Sequence, residues 1–363
     1  MCASPRSLLV LSGAAAFALN VAMGVGPATA ATPVETLYQE LAKLPLDQRT
    51  QRLIEGARKE DKLATIPLFN GQIERNHTKI FKDRYPWMKL ETQSMNTEES
   101  VERFIAEETV GKHITDQLNV TMPDLDPLLR RDMLARYETP VVKAVLPQYR
   151  NFIDPEHRWL PWTWSEHGIS YNTDIVKKAD EPTSYEDLCH PRFKGQVSYD
   201  PGEPKWVVGM LQMMGEEKYR AWTKCLAAND PIIMKGHTTR MTLMLTGDHG
   251  VQGDNFLYTG VLAKAKNPKK APFEIAFKAP ILARASVAII GKHSAHPYGA
   301  ALWSDWQLSE ESQQYVFDVF RGPLTRPHAY ITGQNDLFVY GVVPTERIAK
   351  AAEIWKDSFG SKK

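Results

Sequence analysis

The sequence predicts an α/β protein built as two alternating units with a cleft between them. Three observations carry that expectation. Strand-like and helix-like segments alternate from about residue 60, and the alternation restarts after about residue 165. Pro and Gly cluster at 121–127, 155–162, 200–204 and 268–280, where joints are expected. The 363-residue length suits two domains, each able to bury its own core. With 44 Lys+Arg against 43 Asp+Glu, the net charge of +1 supplies no field to attract a nucleic acid. At 43% hydrophobic and 24% charged, the composition is that of a globular chain.

Residues 34–60 read as two amphipathic helices broken near Pro45, with Leu53, Ile54 and Ala57 at helical spacing. A short buried strand is expected over 63–69, a helix over 71–85 ended by Pro86, and a strand over 88–92. Asn96 followed by Thr97, Glu98 and Glu99 is a capping signal, with Val101, Phe104 and Ile105 on the core face of the helix it opens. Together these imply a mainly parallel sheet. The second unit reads as strands at 169–171, 196–199 and 231–234, with helices at 205–214, 219–228 and 238–245. A clean apolar strand at 286–290 and helices at 296–307 and 310–320 follow.

The first thirty residues read as an address. Arg6 precedes an apolar run over 8–25, and Ala28-Thr29-Ala30 has the small-x-small form of a signal-peptidase site. Cleavage after Ala30 would deliver a soluble, neutral protein to the periplasm; the alternative is an uncleaved anchor. Three cysteines exclude a disulfide-built scaffold. In an exported chain Cys189 and Cys225 are able to pair, and two half-buried thiols are the alternative.

Catalytic signatures are missing. The chain has no H-E-x-x-H, G-x-S-x-G, Walker or dinucleotide-binding glycine pattern. Gly247, Gly250 and Gly253 read as a turn between helix and strand. His293 and His296 read as a polar turn, and Glu98, Glu99, Glu107, Glu108, Glu310 and Glu311 as solvated helix faces. The expectation is therefore a protein that is not an enzyme and needs no cofactor or metal.

The informative residues fall on loops at strand ends beside helix starts, where open α/β sheets take ligands. These are Asn70; Asn96 and Thr97; Asp200 and Gly202, leading to Trp206; and Lys235, His237, Thr238, Thr239 and Arg240. The last group is the most distinctive. Helix first turns favour acidic residues, yet this one carries cations and hydroxyls, an arrangement suited to an external anion. A Thr cap with two solvated cations is the plain alternative. Trp164, within Trp159-Leu160-Pro161-Trp162-Thr163-Trp164, lies on an aromatic strand face that is either core or a platform for an organic ring.

The order of these motifs resembles the periplasmic solute-binding proteins of ABC importers, in the branch named for iron(III). The segments that carry it are LIEGARKEDKLATIPLFN (53–70), SMNTEESVERFIAEE (94–108), GISYNTDIVKK (168–178), PTSYEDLCHPRFKGQVSYDP (182–201), TLMLTGDHGV (242–251) and AHPYGAALWSDWQLSEESQQ (295–314). The resemblance implies a two-lobed type II periplasmic-binding-protein fold that closes by a hinge. Lobe 1 would comprise 31–165 and 285–325, and lobe 2 would comprise 166–284 and 326–363. It also implies a monomer that gives a small-molecule ligand to an inner-membrane permease. Ferric members carry two adjacent tyrosines after an Asn; here Asn255-Phe256-Leu257-Tyr258 keeps only Tyr258. The expected cargo is a small anionic organic compound, such as a phosphonate or a phosphorylated or carboxylated molecule. Ferric ion or a ferric chelate held by Tyr258 is the first alternative, and an exported hydrolase on a two-lobed scaffold is the second.

Overall fold

The computed structural model of the chain describes residues 31–200, 204–269, 271–332 and 337–360. The expected signal at 1–30 and the site candidate Gly202 lie outside the described residues. The described residues from Thr32 onward form one compact unit.

Two N-terminal helices, α1 (Pro33–Ala42) and α2 (Leu46–Glu60), are broken at Pro45 as expected. A first alternating set follows: β1 (Lys62–Ile66), α3 (Gly71–Arg84), β2 (Lys89–Thr92), α4 (Thr97–Thr109), β3 (Gln117–Thr121) and the short α5 (Asp126–Leu129). Asn96 caps α4, its side chain accepting the Glu99 N–H at 2.9 Å. The second set runs β4 (Leu160–Asn172), β5 (Val197–Tyr199), α6 (Pro204–Met214), α7 (Glu216–Ala228), β6 (Ile232–Ile233), α8 (His237–Thr246) and β7 (Val251–Phe256). It continues through α9 (Leu257–Lys266), β8 (Phe273–Ile275) and β9 (Ile281–Ile290). The chain closes with α10 (Pro297–Trp306), α11 (Glu310–Asp318), β10 (Gly322–Pro323), β11 (Leu337–Val339) and α12 (Thr345–Phe359).

The sheet order is β2-β1-β3-β9-β4-β7-β5-β6, with β8 and β10 on β4 and β11 on β9. Both wings are parallel, as β1 pairs β2 and β3, and β5 pairs β6 and β7. The middle is antiparallel: β9 runs against β3 and β4, and β4 against β7. The expected mainly parallel sheet is thus mixed. The cause is the two long strands β4 and β9, fully buried along their length, which cross from one wing to the other.

Two hydrophobic clusters flank that crossing. One gathers Leu53, Leu63, Phe81, Phe104, Leu118, Trp162, Trp303 and their neighbours. The other gathers Tyr171, Tyr199, Trp206, Trp222, Ile354 and Trp355. The first also takes in Met241, Met244 and Leu257 from α8 and α9. Trp162 and Trp164 are both buried, so β4 carries its aromatic residues inward. Cys189 and Cys225 form a disulfide with Cα atoms 5.7 Å apart, tying the turn before Cys189 to α7. Among the described residues, no helix is long and apolar enough to cross a membrane.

Candidate functional site

A cavity of about 590 Å³ opens where the carboxyl ends of β1, β3 and β7 meet the middle of β4 and β9. Four helices begin on its wall, each delivering loop residues from a strand end. Asn70 sits at the start of α3, Asn96 and Thr97 at α4, Pro204 and Lys205 at α6, and Gly236 to Thr239 at α8. The α3 and α8 starts have no side-chain cap, so their first N–H groups are left to other acceptors. Gly236 stands at a φ of 97°, a turn that a side chain would strain, and opens α8 toward the cavity.

Of the residues expected from sequence, Asn70, Asn96, Thr97, Trp164, His237, Thr238, Thr239 and Tyr258 line this one cavity. The others do not. Arg240 is fully buried and pairs with buried Asp254 at 2.5 Å, also donating to the Ser198 carbonyl at 3.3 Å. Asp200 holds the α8 start from behind: its carboxylate accepts the Gly236 N–H at 2.7 Å, and its own N–H goes to Asp254 at 2.8 Å. Asn255 is buried beside His237, 2.9 Å from its Nδ1, with Arg240 Nη2 3.2 Å from the same nitrogen. These three side chains therefore fix the imidazole and the loop rather than line the cavity. Lys235 is exposed outside the lining, and Trp206 is core, wholly buried against Tyr199, Trp222 and Trp355.

The cavity holds residues that the sequence reading does not single out. Arg284 and Ser286 come from one face of β9, Thr121 from β3, and Thr163 and Ser165 from β4. Lys205 is already occupied, by Asp124 at 2.9 Å and Thr97 at 2.5 Å. Arg284 donates to the Tyr340 hydroxyl at 3.0 Å. Arg321 is different. Its guanidinium lies 3.7 Å from the Tyr258 ring centre, with Phe69 and Phe256 at 5.6 and 5.8 Å. It makes no hydrogen bond or ion pair among the described residues, and its Nε is buried without an acceptor. The chain reaches it from α11 through Phe320, at a φ of 57°, and leaves through Gly322, where any side chain would strike Trp164. The only sequence signal is a cation before Gly-Pro at a helix end.

Behind Tyr258 the wholly buried Glu166 takes the Tyr330 hydroxyl and, at 3.2 Å, the Tyr258 N–H. Burial pushes its carboxyl up to about 7, against the Tyr330 hydrogen bond and the positive field of Arg321. His328 accepts the N–H groups of Tyr330 and Ile331 at Nδ1, at 3.3 and 3.2 Å, so its proton sits on Nε2. Burial holds this imidazole down at about 3. Leu257 is fully buried in the core. His296 is taken by Asp116, 2.8 Å from its Nδ1. No group of three or more His, Cys, Asp and Glu is placed to hold a metal among the described residues.

The chain matches the bacterial extracellular solute-binding protein family over residues 123–329, more than half its length. It is 26% identical over 136 residues to iron uptake protein A1 of Synechocystis sp., a stretch covering 36% of this chain and 37% of that protein. The chain thus matches little more than a third of that relative's length. Among solved structures, iron-bound HitA from Pseudomonas aeruginosa superposes with a TM-score of 0.69 at 19% identity, covering 82% of this chain and 99% of that one. AfuA from Actinobacillus pleuropneumoniae, with fructose-6-phosphate bound, gives 0.68 at 18%, covering 82% and 98%. Trichodesmium IdiA (FutA), with iron and citrate, gives 0.67 at 15%, covering 82% and 99%. These likenesses give the fold, that of two-lobed periplasmic binding proteins; the matched sequence places the chain in the bacterial extracellular solute-binding protein family.

Proposed function

We propose that the protein is the periplasmic solute-capturing component of an ABC importer, and that its cargo is a small anionic organic molecule. The lobes would be 31–165 with 285–325 and 166–284 with 326–363, linked through β4 and β9, and the cargo would sit in the cavity between them. Cleavage after Ala30, a monomeric state and an inner-membrane permease partner belong to the same reading. The single observation behind the anion is Arg321, a cavity cation with no acceptor among the described residues. The half-buried Arg321 turns its guanidinium to the cavity, and a cargo carboxylate or phosphate would bind it by paired N–H contacts. The uncapped starts of α3 and α8 add partial positive charge on the same cavity.

A volume near 590 Å³ exceeds the needs of a bare ion and suits an organic body. Amide and hydroxyl groups of Asn70, Ser165 and Ser286 line the cavity for that body, while Asn96, Thr97, Thr121 and Thr163 already bond within the chain. The second reading, a ferric chelate, is favoured by Tyr258 on the cavity wall and by the iron-bound relatives. A bare ferric ion is less well served, since Arg321 lies over the one phenol available. The test is native mass spectrometry of protein taken from its own periplasm, followed by calorimetry of the recovered cargo on the wild type and Arg321→Met. An anionic cargo whose affinity collapses in the variant supports the reading; a neutral cargo, or equal affinity, overturns it. A phenolate charge-transfer colour with ferric citrate would turn the reading to iron.

A further inference from the structure

Lys205 is on the cavity wall, yet its ammonium is held by groups of the chain itself. Its Nζ is 2.9 Å from Asp124 Oδ1, 2.5 Å from Thr97 Oγ1 and 3.7 Å from Glu98 Oε1. Asp124 and Thr97 are within hydrogen-bond reach of the ammonium, and Glu98 adds a longer ion-pair contact. Lys205 and Asp124 are 10% and 6% exposed, so the pair is shielded from water and from salt. The other oxygen of Asp124 accepts the Thr121 hydroxyl at 2.6 Å and the Thr121 N–H at 3.2 Å, which holds the carboxylate in place.

The partners belong to opposite sides of the cavity. Lys205 opens α6, whose next residues, Trp206 and Val207, belong to the Tyr199–Trp222 cluster. Asp124 lies between Met122 and Leu125, and Thr97 begins the helix of Val101 and Phe104, all of the other cluster. We infer that Lys205 and Asp124 form a latch that holds the two lobes together across the cavity. The inference rests on the reading of this cavity as the inter-lobe solute site. It adds that the chain's own ion pair supplies part of the differential free energy that favours the closed state. Entry of a solute then requires the latch to open first.

Asp126 and Arg130 of the same segment bond Thr345 and Glu346 of α12 outside the cavity, and Arg321 packs on Tyr258 inside it; both ties remain when Lys205 is removed. The experiment is small-angle X-ray scattering of protein stripped of cargo by unfolding and oxidative refolding. Wild type is expected to scatter as the compact form. Lys205→Met and Asp124→Asn are each expected to shift to a larger radius of gyration and maximum dimension, with circular dichroism unchanged. Lys205→Arg is expected to restore the compact profile. Superimposable profiles for wild type and both latch variants overturn the inference, as does a wild type already extended. Should Lys205→Met fail to fold, Asp124→Asn, which keeps an acceptor for Thr121, decides alone. The scattering is read without cargo, so it can fail while the calorimetric test of the anion stands, and the reverse.

Discussion

One guanidinium lies behind the cavity wall and another on it, and their surroundings assign them opposite work. Arg240, one turn into α8, is sealed against Asp254 and the Ser198 carbonyl, with no water-facing surface. Arg321, on the link from α11 to β10, rests on Tyr258 and meets no acceptor among the described residues. In sequence Arg240 is the conspicuous one, because it stands among Lys, His and Thr at a helix start. Availability for a ligand is decided by whether a carboxylate is already within reach, and Asp254 reaches Arg240 from the neighbouring strand. The lesson is that a cationic helix start marks a site only when its cations are unspent.

The comparison is broken most directly at Arg240. Arg240→Met strands the Asp254 carboxylate in the interior, an expected loss of about 3–5 kcal/mol of stability in urea unfolding. A variant of normal stability but failed cargo binding would return Arg240 to the ligand site. Arg321→Met should do the reverse. It is expected to weaken an anionic cargo by about 1.5–3 kcal/mol in calorimetry, the range for hydrogen bonds to charged groups. Its thermal midpoint should stay near that of the wild type, and a large drop would show Arg321 to be structural.

The next test concerns the support beneath Arg321. The Glu166 carboxyl is raised by burial to about 7, above its unfolded value, so its protonation stabilises the fold at low pH. That contribution is whole below the unfolded value near 4.5 and is lost as pH rises through about 7. Glu166→Gln removes the loss. Relative to wild type the variant should therefore gain about 2 kcal/mol between pH 5 and pH 7. His328 runs the other way: held at about 3, it costs stability as pH falls below its unfolded value, and this term is common to both proteins. A constant stability gap across that pH range would contradict the buried, protonated carboxyl. The smallest effect is expected at Lys235, which is exposed and outside the cavity. Lys235→Ala should change stability by less than about 0.5 kcal/mol and leave cargo affinity unchanged; a weakened affinity would put this residue back at the mouth of the site.

Much of the frame was legible in the residues because it rests on local physics. Pro45 breaks the first helices, Asn96 caps α4, and apolar periodicity places α2, α3, α6 and α8 within a residue or two. Eight of the expected site residues meet at one cavity because strand ends beside helix starts converge in any open α/β sheet. The antiparallel middle of the sheet was not legible. A strand buried on both faces, such as β4 or β9, has no alternation to betray its length, and direction depends on a partner far away in sequence.

What the sequence determined by itself, then, was the alternation of elements, the positions where helices begin, and a pair of cysteines free to join. These follow from backbone sterics, capping hydrogen bonds and apolar spacing, all of which act within a few residues. Tertiary structure alone decided that Arg240 is neutralised, that Lys205 bridges to Asp124, that Asn255 and Asp200 brace rather than line the cavity, and that Arg321 meets no hydrogen-bond acceptor among the described residues. Each of those outcomes depends on which charge lies within a few ångströms across the fold, and separation along the chain carries no record of that distance.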